Sequence, residues 1–383
     1  MKKLKVVLLP QHFCWSGGLE FIRHILNGLT AVIPLYEWQV LIALDEEFVN
    51  DDIYPQLQDY LANTTIIPEQ ILYSSRHNDL VETLERNNVD IVLPVNSDLG
   101  ANFPVPWLAY IPDFQHKYLH YYFSEHECFV RETAFAARLR DCKAVVVNSN
   151  AVKSDIIKFY PWINAERVKV LPFTPHPVPV WLGIDPLKLK QKYGLPQDYF
   201  LICNQFWIHK DHPTAFHAFA QLANKDVHLV CTGTLSDYRY PDYVDEQKNL
   251  LNTLGISDRV HFLGHIPKLD QIGLLKGSIA LVQPTLFEGG PGGGATYDAV
   301  ALGMPVLLSD IGVNQEVMVP EVYHFHQQNA EDLARCMQQV LVKERKVPVE
   351  DALLSEGLIR QQQLGKALYE AISYTLSCYE NSK

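Results

Sequence analysis

Pro284-Thr-Leu-Phe-Glu-Gly-Gly-Pro-Gly-Gly-Gly-Ala-Thr-Tyr-Asp298 runs on through Ala-Val-Ala-Leu-Gly-Met-Pro305 into the apolar segment Val306–Ser309. Five of the six positions from Gly289 to Gly294 are glycine. Glycine loses more chain entropy on folding than any other residue, so such a concentration marks close approach of the backbone to a ligand rather than a merely flexible loop. The run follows the strand-like Ala280–Gln283 and precedes a helix-forming stretch, which makes it an amide-rich anion cradle at a helix start. Glu288 and Asp298 bracket the cradle and offer carboxylates to hydroxyls on either side of an anion. The alternative for Asp298 is a charge that complements the helix dipole.

Working outward, short β-branched runs alternate with helical segments, the pattern of parallel strands buried on both faces. The strand candidates are Lys5–Leu9, Gln39–Leu44, Ile91–Val95, Leu108–Ile111, Ala144–Asn148 and Val168–Leu171. A second set comprises Phe200–Asn204, His228–Thr232, Val260–Leu263, Ala280–Gln283 and Val306–Ser309. Between the sets lies Pro172-Phe-Thr-Pro-His-Pro-Val-Pro-Val180, whose prolines favour an extended, stiff connector. The fold class is α/β, with two doubly wound sheets. The expected domains are 1–175, joined by a C-terminal helix at about 360–383, and 176–359. That terminal segment, Asp351 to about Tyr379, reads as one long helix or a broken pair.

The 383 residues carry a net charge of −12, and neither half is basic, which excludes duplex nucleic acid as the main partner. No apolar run approaches the roughly 18–20 residues of a membrane span, and Pro10 interrupts the first too early for a signal-peptide core. The sequence reads as a soluble cytoplasmic protein. Its 7 cysteines are scattered without a C-x-x-C pair, and its 15 histidines show no metal-ligand spacing, so neither a disulfide framework nor a metal site is expected.

Further candidates follow other strands. Gln11-His-Phe-Cys-Trp-Ser-Gly-Gly18 puts Gly17 and Gly18 at a strand-to-helix turn, where they serve either an anion or the turn itself. Ala109-Tyr-Ile-Pro-Asp-Phe-Gln-His-Lys-Tyr-Leu-His120 offers Asp113, which has a competing reading as a strand-end cap. His116, Tyr118, His120, Tyr121, Tyr122 and Phe123 could stack on sugar faces or pack internally.

Phe287-Glu288 with Gly303-x-Pro305-Val306 and Ser309-Asp310 resembles the signature of retaining glycosyltransferases of family 4, among the glycosyl transferases of group 1. The resemblance extends through most of the chain. Gly17-Gly18 looks like the family's N-terminal glycine loop, and Pro112-Asp113 with Phe123-Ser124 and Arg131 like its acceptor-side segment. Val145–Ser149 looks like its Val-x-x-Ser strand end, Lys210 like its phosphate-binding lysine, and Val260-His-Phe-Leu-Gly264 like the strand beside its base pocket. It implies the GT-B fold, two Rossmann-like domains facing each other across a cleft, with a C-terminal helix crossing back to the first. It also implies a nucleotide-diphosphate sugar as donor, a glycan or glycolipid acceptor, and no cofactor or metal. Lys210 would neutralise the diphosphate, and Glu288 would hold the donor sugar or its developing positive charge. The amides of Gly289, Gly290, Gly292, Gly293 and Gly294 would contact sugar and phosphate, and Asp298 would take the ribose hydroxyls. Asp113, His116, His120 and Tyr118 fall on the acceptor side.

The chain departs from that pattern in three places. Nine residues separate Glu288 from Asp298, a longer loop than the family's, and the second acid is shortened to aspartate. Gln205 stands where the family usually has an arginine, a loss for diphosphate binding unless His209 substitutes; the other reading of His209 is an exposed helix-start residue. Pro112 stands where a histidine normally faces the transferred sugar, a place that His116 or His12 could cover. The expected activity is retaining hexosyl or deoxyhexosyl transfer in surface or exopolysaccharide synthesis. The alternatives are a catalytically impaired GT-B-like scaffold subunit and a nucleotide-sugar epimerase on the same fold. Many members of the family touch the inner membrane leaflet, although the acidic first domain has no polybasic run to drive such contact.

Overall fold

The computed structural model describes residues 3–13, 15–50, 54–62, 64, 67–344 and 348–380. Cys14, in the first glycine turn, and 381–383, in the expected terminal helix, lie outside the described residues. The chain divides into two compact units, Met1–Thr174 with Leu358–Lys383, and Pro175–Gly357.

In the first unit seven strands form one sheet: β1 Leu4–Leu8, β2 Trp38–Asp45, β3 Glu69–Tyr73, β4 Ile91–Val95, β5 Trp107–Tyr110, β6 Val145–Val147 and β7 Val168–Val170. Their order is β3-β2-β1-β4-β5-β6-β7, and every pairing is parallel. The near-continuous apolar composition of these strands follows from burial on both faces. Val6 and Leu8 enter one core and Val7 and Leu9 the other, because successive side chains point to opposite sides. β3, not expected from the sequence, is an edge strand with Tyr73 its one buried residue. An edge strand covered by so little needs little apolar character.

The second unit repeats the architecture with β8 Tyr199–Cys203, β9 His228–Thr232, β10 Val260–Gly264, β11 Leu281–Gln283, β12 Val306–Ser309 and β13 Val322–Phe325, in the parallel order β10-β9-β8-β11-β12-β13. β13, also unexpected, is the other kind of short edge strand, with only Phe325 fully buried. The connector is extended as expected as far as Val178, but it does not stay so. Pro179 opens a short helix, Pro179–Leu182, at the one helical position where a missing N–H is harmless. The next helix, Pro186–Tyr193, stops at Gly194, whose φ of 61° only glycine adopts freely.

The terminal segment is one helix, Glu350–Glu380. Leu364, Leu368, Ala371 and Ile372, spaced to share one face, are fully buried in the first unit's core beside helix Ser16–Ala31. The two helices meet at backbone distance: a Cβ on Gly365 would lie 2.3 Å from the Gly28 carbonyl oxygen.

In both sheets the strand order reverses beside the first strand, between β1 and β4 and between β8 and β11. The carboxyl ends of strands at such a reversal open a crevice in which α/β sheets bind ligands.

Candidate functional site

At the reversal in the second unit, β8 leads through Asn204–Trp207 into the single turn Ile208–Lys210, and β11 leads through the glycine run into helix Gly293–Ala301. The two loops bring together residues 78 positions apart: Lys210 Nζ donates to Glu288 Oε1 at 2.6 Å. Both side chains are about nine-tenths buried, with 12% and 11% exposed. A cation and a carboxylate so little hydrated persist only as a pair or with a ligand in place of one partner.

Asp211, next in the chain, holds a left-handed φ of 52°, and its carboxylate accepts from Thr214 Oγ1 at 2.7 Å. Burial raises this carboxyl to about 6. The folded chain therefore holds that proton more tightly than the unfolded one, and the stability it contributes is complete below about pH 4 and lost as pH rises through 6. Asp211→Asn keeps an acceptor for Thr214 and tolerates the left-handed backbone. It is expected to be more stable than wild type at pH 7–8, by up to about 2–3 kcal/mol, with the difference gone by pH 4. Denaturant unfolding across that range measures it.

The glycine run is fixed rather than loose. The Gly292 N–H donates to Asn314 Oδ1 at 2.8 Å, and Gln283 Nε2 donates to the Gly292 carbonyl at 2.8 Å. Ser309 Oγ donates to the Thr285 carbonyl at 2.6 Å, and Asn314 Nδ2 to the Ser309 carbonyl at 2.9 Å. Asn314, Gln283 and Ser309 are all buried, so the brace lies beneath the loop. Gly292 and Gly293 both have φ of 67°. A Cβ on Gly292 would strike Thr296 at 2.3 Å, one on Gly293 would press Glu288 Oε2 at 3.3 Å, and one on Gly294 would meet nothing within 4 Å. The expectation that the Gly292 and Gly293 amides contact the donor is corrected: the first is spent on Asn314 and the second donates to the Gly290 carbonyl at 3.2 Å, so these two hold the loop in shape.

Asp298 is not at the helix start, where it would complement the dipole. It lies inside helix Gly293–Ala301, buried, and accepts from Lys268 Nζ at 2.6 Å. Gln205 Oε1 accepts from the Thr234 N–H at 3.0 Å and so ties the loop after β8 to that after β9. The exposed reading of His209 is corrected: it is 3% exposed, because its turn folds under the cradle and its carbonyl accepts from the Leu286 N–H at 2.8 Å.

In the first unit, Gly17 and Gly18 sit in the first turn of helix Ser16–Ala31. A Cβ on Gly18 would come within 2.8 Å of the Phe13 carbonyl oxygen and of the Trp15 ring, so packing alone requires that glycine. Asp113 Oδ1 accepts from the Gln115 N–H at 2.9 Å and lies 3.6 Å from Arg131 Nη1. The expectation that His116 presents its ring to a sugar is corrected. It is 2% exposed, its Nε2 lies 2.6 Å from Glu132 Oε1, and burial lowers its pKa despite that carboxylate. Tyr118, exposed, bonds Asp155, and burial together with that bond raises its hydroxyl to about 12. His120 stands edge-on to the exposed Tyr121. His12 Nδ1 lies 3.2 Å from Ser97 Oγ; burial first, then the Arg138 charge, hold the ring at about 4, so it is neutral at pH 7.

Sequence reasoning did not single out Lys268, Asn314, Gln283 or Asp211. None of the four carried a signal of its own, although Asn314 lies only five residues after Ser309. Among the described residues no three His, Cys, Asp or Glu side chains gather as a metal would require, and no helix is long and apolar enough to cross a membrane.

Residues 187–352 match the family described as "Glycosyl transferases group 1". No curated protein matches the chain. Solved structures share its fold from end to end. The Anabaena protein HepE, in complex with UDP and glucose, is 15% identical with a TM-score of 0.64, over 99% of both chains. A sucrose-phosphate synthase from Thermosynechococcus elongatus is 18% identical with a TM-score of 0.63, again over 99% of both. A putative UDP-N-acetylglucosamine 2-epimerase from Listeria monocytogenes is 12% identical with a TM-score of 0.55, over 100% of this chain and 98% of that one.

Proposed function

From a chain of the GT-B fold whose second unit carries a group 1 glycosyl transferase domain, we propose a retaining transferase that moves a hexosyl or deoxyhexosyl group from a nucleoside-diphosphate sugar to an acceptor hydroxyl. The setting proposed is surface or exopolysaccharide synthesis, with a glycan or glycolipid acceptor. The observation that carries this reading is the Lys210–Glu288 pair at the β8/β11 reversal, under a braced glycine loop that opens a helix. HepE, of the same fold, has been crystallised with UDP and glucose, which supports a nucleotide sugar as donor.

Breaking the glycosyl–phosphate bond leaves negative charge on the diphosphate and positive charge on the sugar. Lys210, with the positive end of the helix that begins at Gly293, meets the first, and Glu288 the second. In this mechanism a phosphate oxygen of the leaving group takes the acceptor proton on the same face of the sugar, which gives retention without a separate carboxylate base. No step is routed through a metal or cofactor. Asp113, Tyr118 and His120 belong to the acceptor side of the proposal.

The test is a thermal-shift series of wild type and Glu288→Gln with UDP, GDP, ADP, TDP and their sugar conjugates, since a ligand that binds only the folded state raises its melting point. One nucleotide series is expected to stabilise wild type. Glu288→Gln is expected to respond to the nucleotide at least as strongly, because Lys210 is released from its competing carboxylate, and to lose the added response to the sugar. A wild type that responds to no nucleotide would overturn the reading in favour of a scaffold subunit. Recovery of an epimerised nucleotide sugar, with no transfer to acceptor, would overturn it in favour of the activity ascribed to the Listeria protein of the same fold.

A further inference from the structure

We propose that the Lys210–Glu288 pair is an internal latch: the protein's own carboxylate holds the anion position between Lys210 and the start of helix Gly293–Ala301, and a nucleoside diphosphate displaces it. Displacement frees Glu288 for the sugar, so that nucleotide and free sugar bind cooperatively. The inference rests on the proposed use of a nucleotide sugar.

One carboxylate oxygen, Glu288 Oε1, accepts from Lys210 Nζ at 2.6 Å. The other lies against the start of the helix, since a Cβ on Gly293 would come within 3.3 Å of Glu288 Oε2. The carboxylate therefore stands between an ammonium and the positive end of a helix of 9 residues, the two features that draw a phosphate to a helix start. The backbone around it is fixed. The His209 carbonyl accepts from the Leu286 N–H at 2.8 Å, which ties the lysine's turn to the acid's loop. Thr285 Oγ1 donates to the Phe287 carbonyl at 2.9 Å, and Ser309 Oγ to the Thr285 carbonyl at 2.6 Å. A change of partner at Glu288 is thus a rotation of its side chain and not a movement of the loop.

A diphosphate that takes Lys210 and the helix start leaves Glu288, only 11% exposed, beside a second anion and without its cation. That arrangement costs free energy, and the hydroxyls of a sugar recover part of it by donating to the released carboxylate. Each ligand therefore prefers the protein that already holds the other, and the preference is reciprocal. Without the nucleotide, a hexose that approaches Glu288 must compete with the ammonium for it. The latch thus keeps free sugars out of the donor site and admits a sugar only as the nucleotide's conjugate or beside the nucleotide. The ligand class that opens it is a nucleoside diphosphate, recognised by its charge.

Saturation-transfer NMR of glucose, galactose, mannose, rhamnose and fucose, each with and without UDP, GDP, ADP or TDP, tests this on the full chain, and calorimetry reads the nucleotides alone. Wild type is expected to bind one of the sugars about tenfold more tightly beside one of the nucleotides than without it, within the usual range of coupling between two sites. Lys210→Met has no latch and is expected to bind that sugar alike with and without nucleotide. Glu288→Gln is expected to bind the nucleotide alone about tenfold more tightly than wild type does, because no carboxylate competes for Lys210. If Lys210→Met does not fold because the acid is left stranded, the Glu288→Gln affinity still decides: a value equal to wild type or weaker would overturn the proposal. A Lys210→Met variant whose sugar binding still needs the nucleotide would overturn it in favour of direct contact between the two ligands. A wild type in which no sugar binds more tightly with a nucleotide than without one would overturn it and leave the transferase reading standing. A wild type that binds no nucleoside diphosphate would overturn both.

Discussion

Lys210→Met is expected to slow glycosyl transfer by about 10²–10³-fold, the usual loss when one preorganised group facing developing negative charge is removed. The charge lost is that of the leaving diphosphate, which the lysine meets from an almost dry position where solvent screens little. The same substitution strands the Glu288 carboxylate, whose cationic partner at 2.6 Å disappears while its burial remains. A stability loss of roughly 1–3 kcal/mol should accompany the rate loss. The two effects separate in Lys210→Met with Glu288→Gln, which leaves no buried charge unpaired. That double variant should regain most of the stability and none of the rate, because neither replacement offers a cation to the diphosphate. Melting curves and product formation from the nucleotide sugar, followed across wild type, both single variants and the double, form the cycle that isolates the pair. A Lys210→Met enzyme with wild-type turnover would remove the lysine from the mechanism.

Gly292→Ala is expected to destabilise the protein by roughly 3–5 kcal/mol, in the range reserved for severe local conflicts. Two conflicts add. An alanine at φ of 67° carries the left-handed penalty of about 1–2 kcal/mol. Its methyl would also sit 2.3 Å from Thr296 Oγ1 and 2.5 Å from Thr296 Cβ. Thr296 cannot easily move, since it is buried and its hydroxyl donates to the Gly292 carbonyl at 2.8 Å. Gly294→Ala is the contrasting case, because its methyl would meet no protein atom within 4 Å and alanine favours the helix. It should melt at or above the wild-type temperature, and if the donor approaches that amide it should bind the nucleotide sugar less tightly. A stable Gly294→Ala variant with unchanged donor affinity would show that the ligand does not reach this glycine.

These contrasts bear on what could be read from the sequence. The cradle was legible because five glycines in six positions carry an entropic cost that packing seldom repays, whatever surrounds them. The parallel sheets were legible for a similar reason, since strands buried on both faces must be apolar throughout. Partnerships were not. Lys210 and Glu288 were each singled out, but their contact depends on β8 and β11 becoming neighbours, a property of strand order. Lys268 looked like any charged residue at a helix start, and only the fold sets it against Asp298. Asn314 and Gln283 read as ordinary polar residues because the groups they brace belong to a backbone elsewhere in the chain. For His209 both a substitute cation and an exposed helix-start residue were open readings, because the residues that meet its carbonyl, Thr285 and Leu286, come from elsewhere in the chain. β3 and β13 escaped notice because edge strands need few apolar residues.

The terminal helix gives this chain an unusual order of assembly during synthesis. Leu364, Leu368, Ala371 and Ile372 complete a core whose other members precede residue 175, while the whole second unit is encoded between them. At roughly 5–20 residues per second the ribosome needs on the order of 10–40 s to translate that interval. The unit made first therefore waits with one face of helix Ser16–Ala31 unroofed, while the second unit can finish folding before it. A chain ended at Gly357 should accordingly hold a protease-resistant second unit and a first unit that is still open to cleavage.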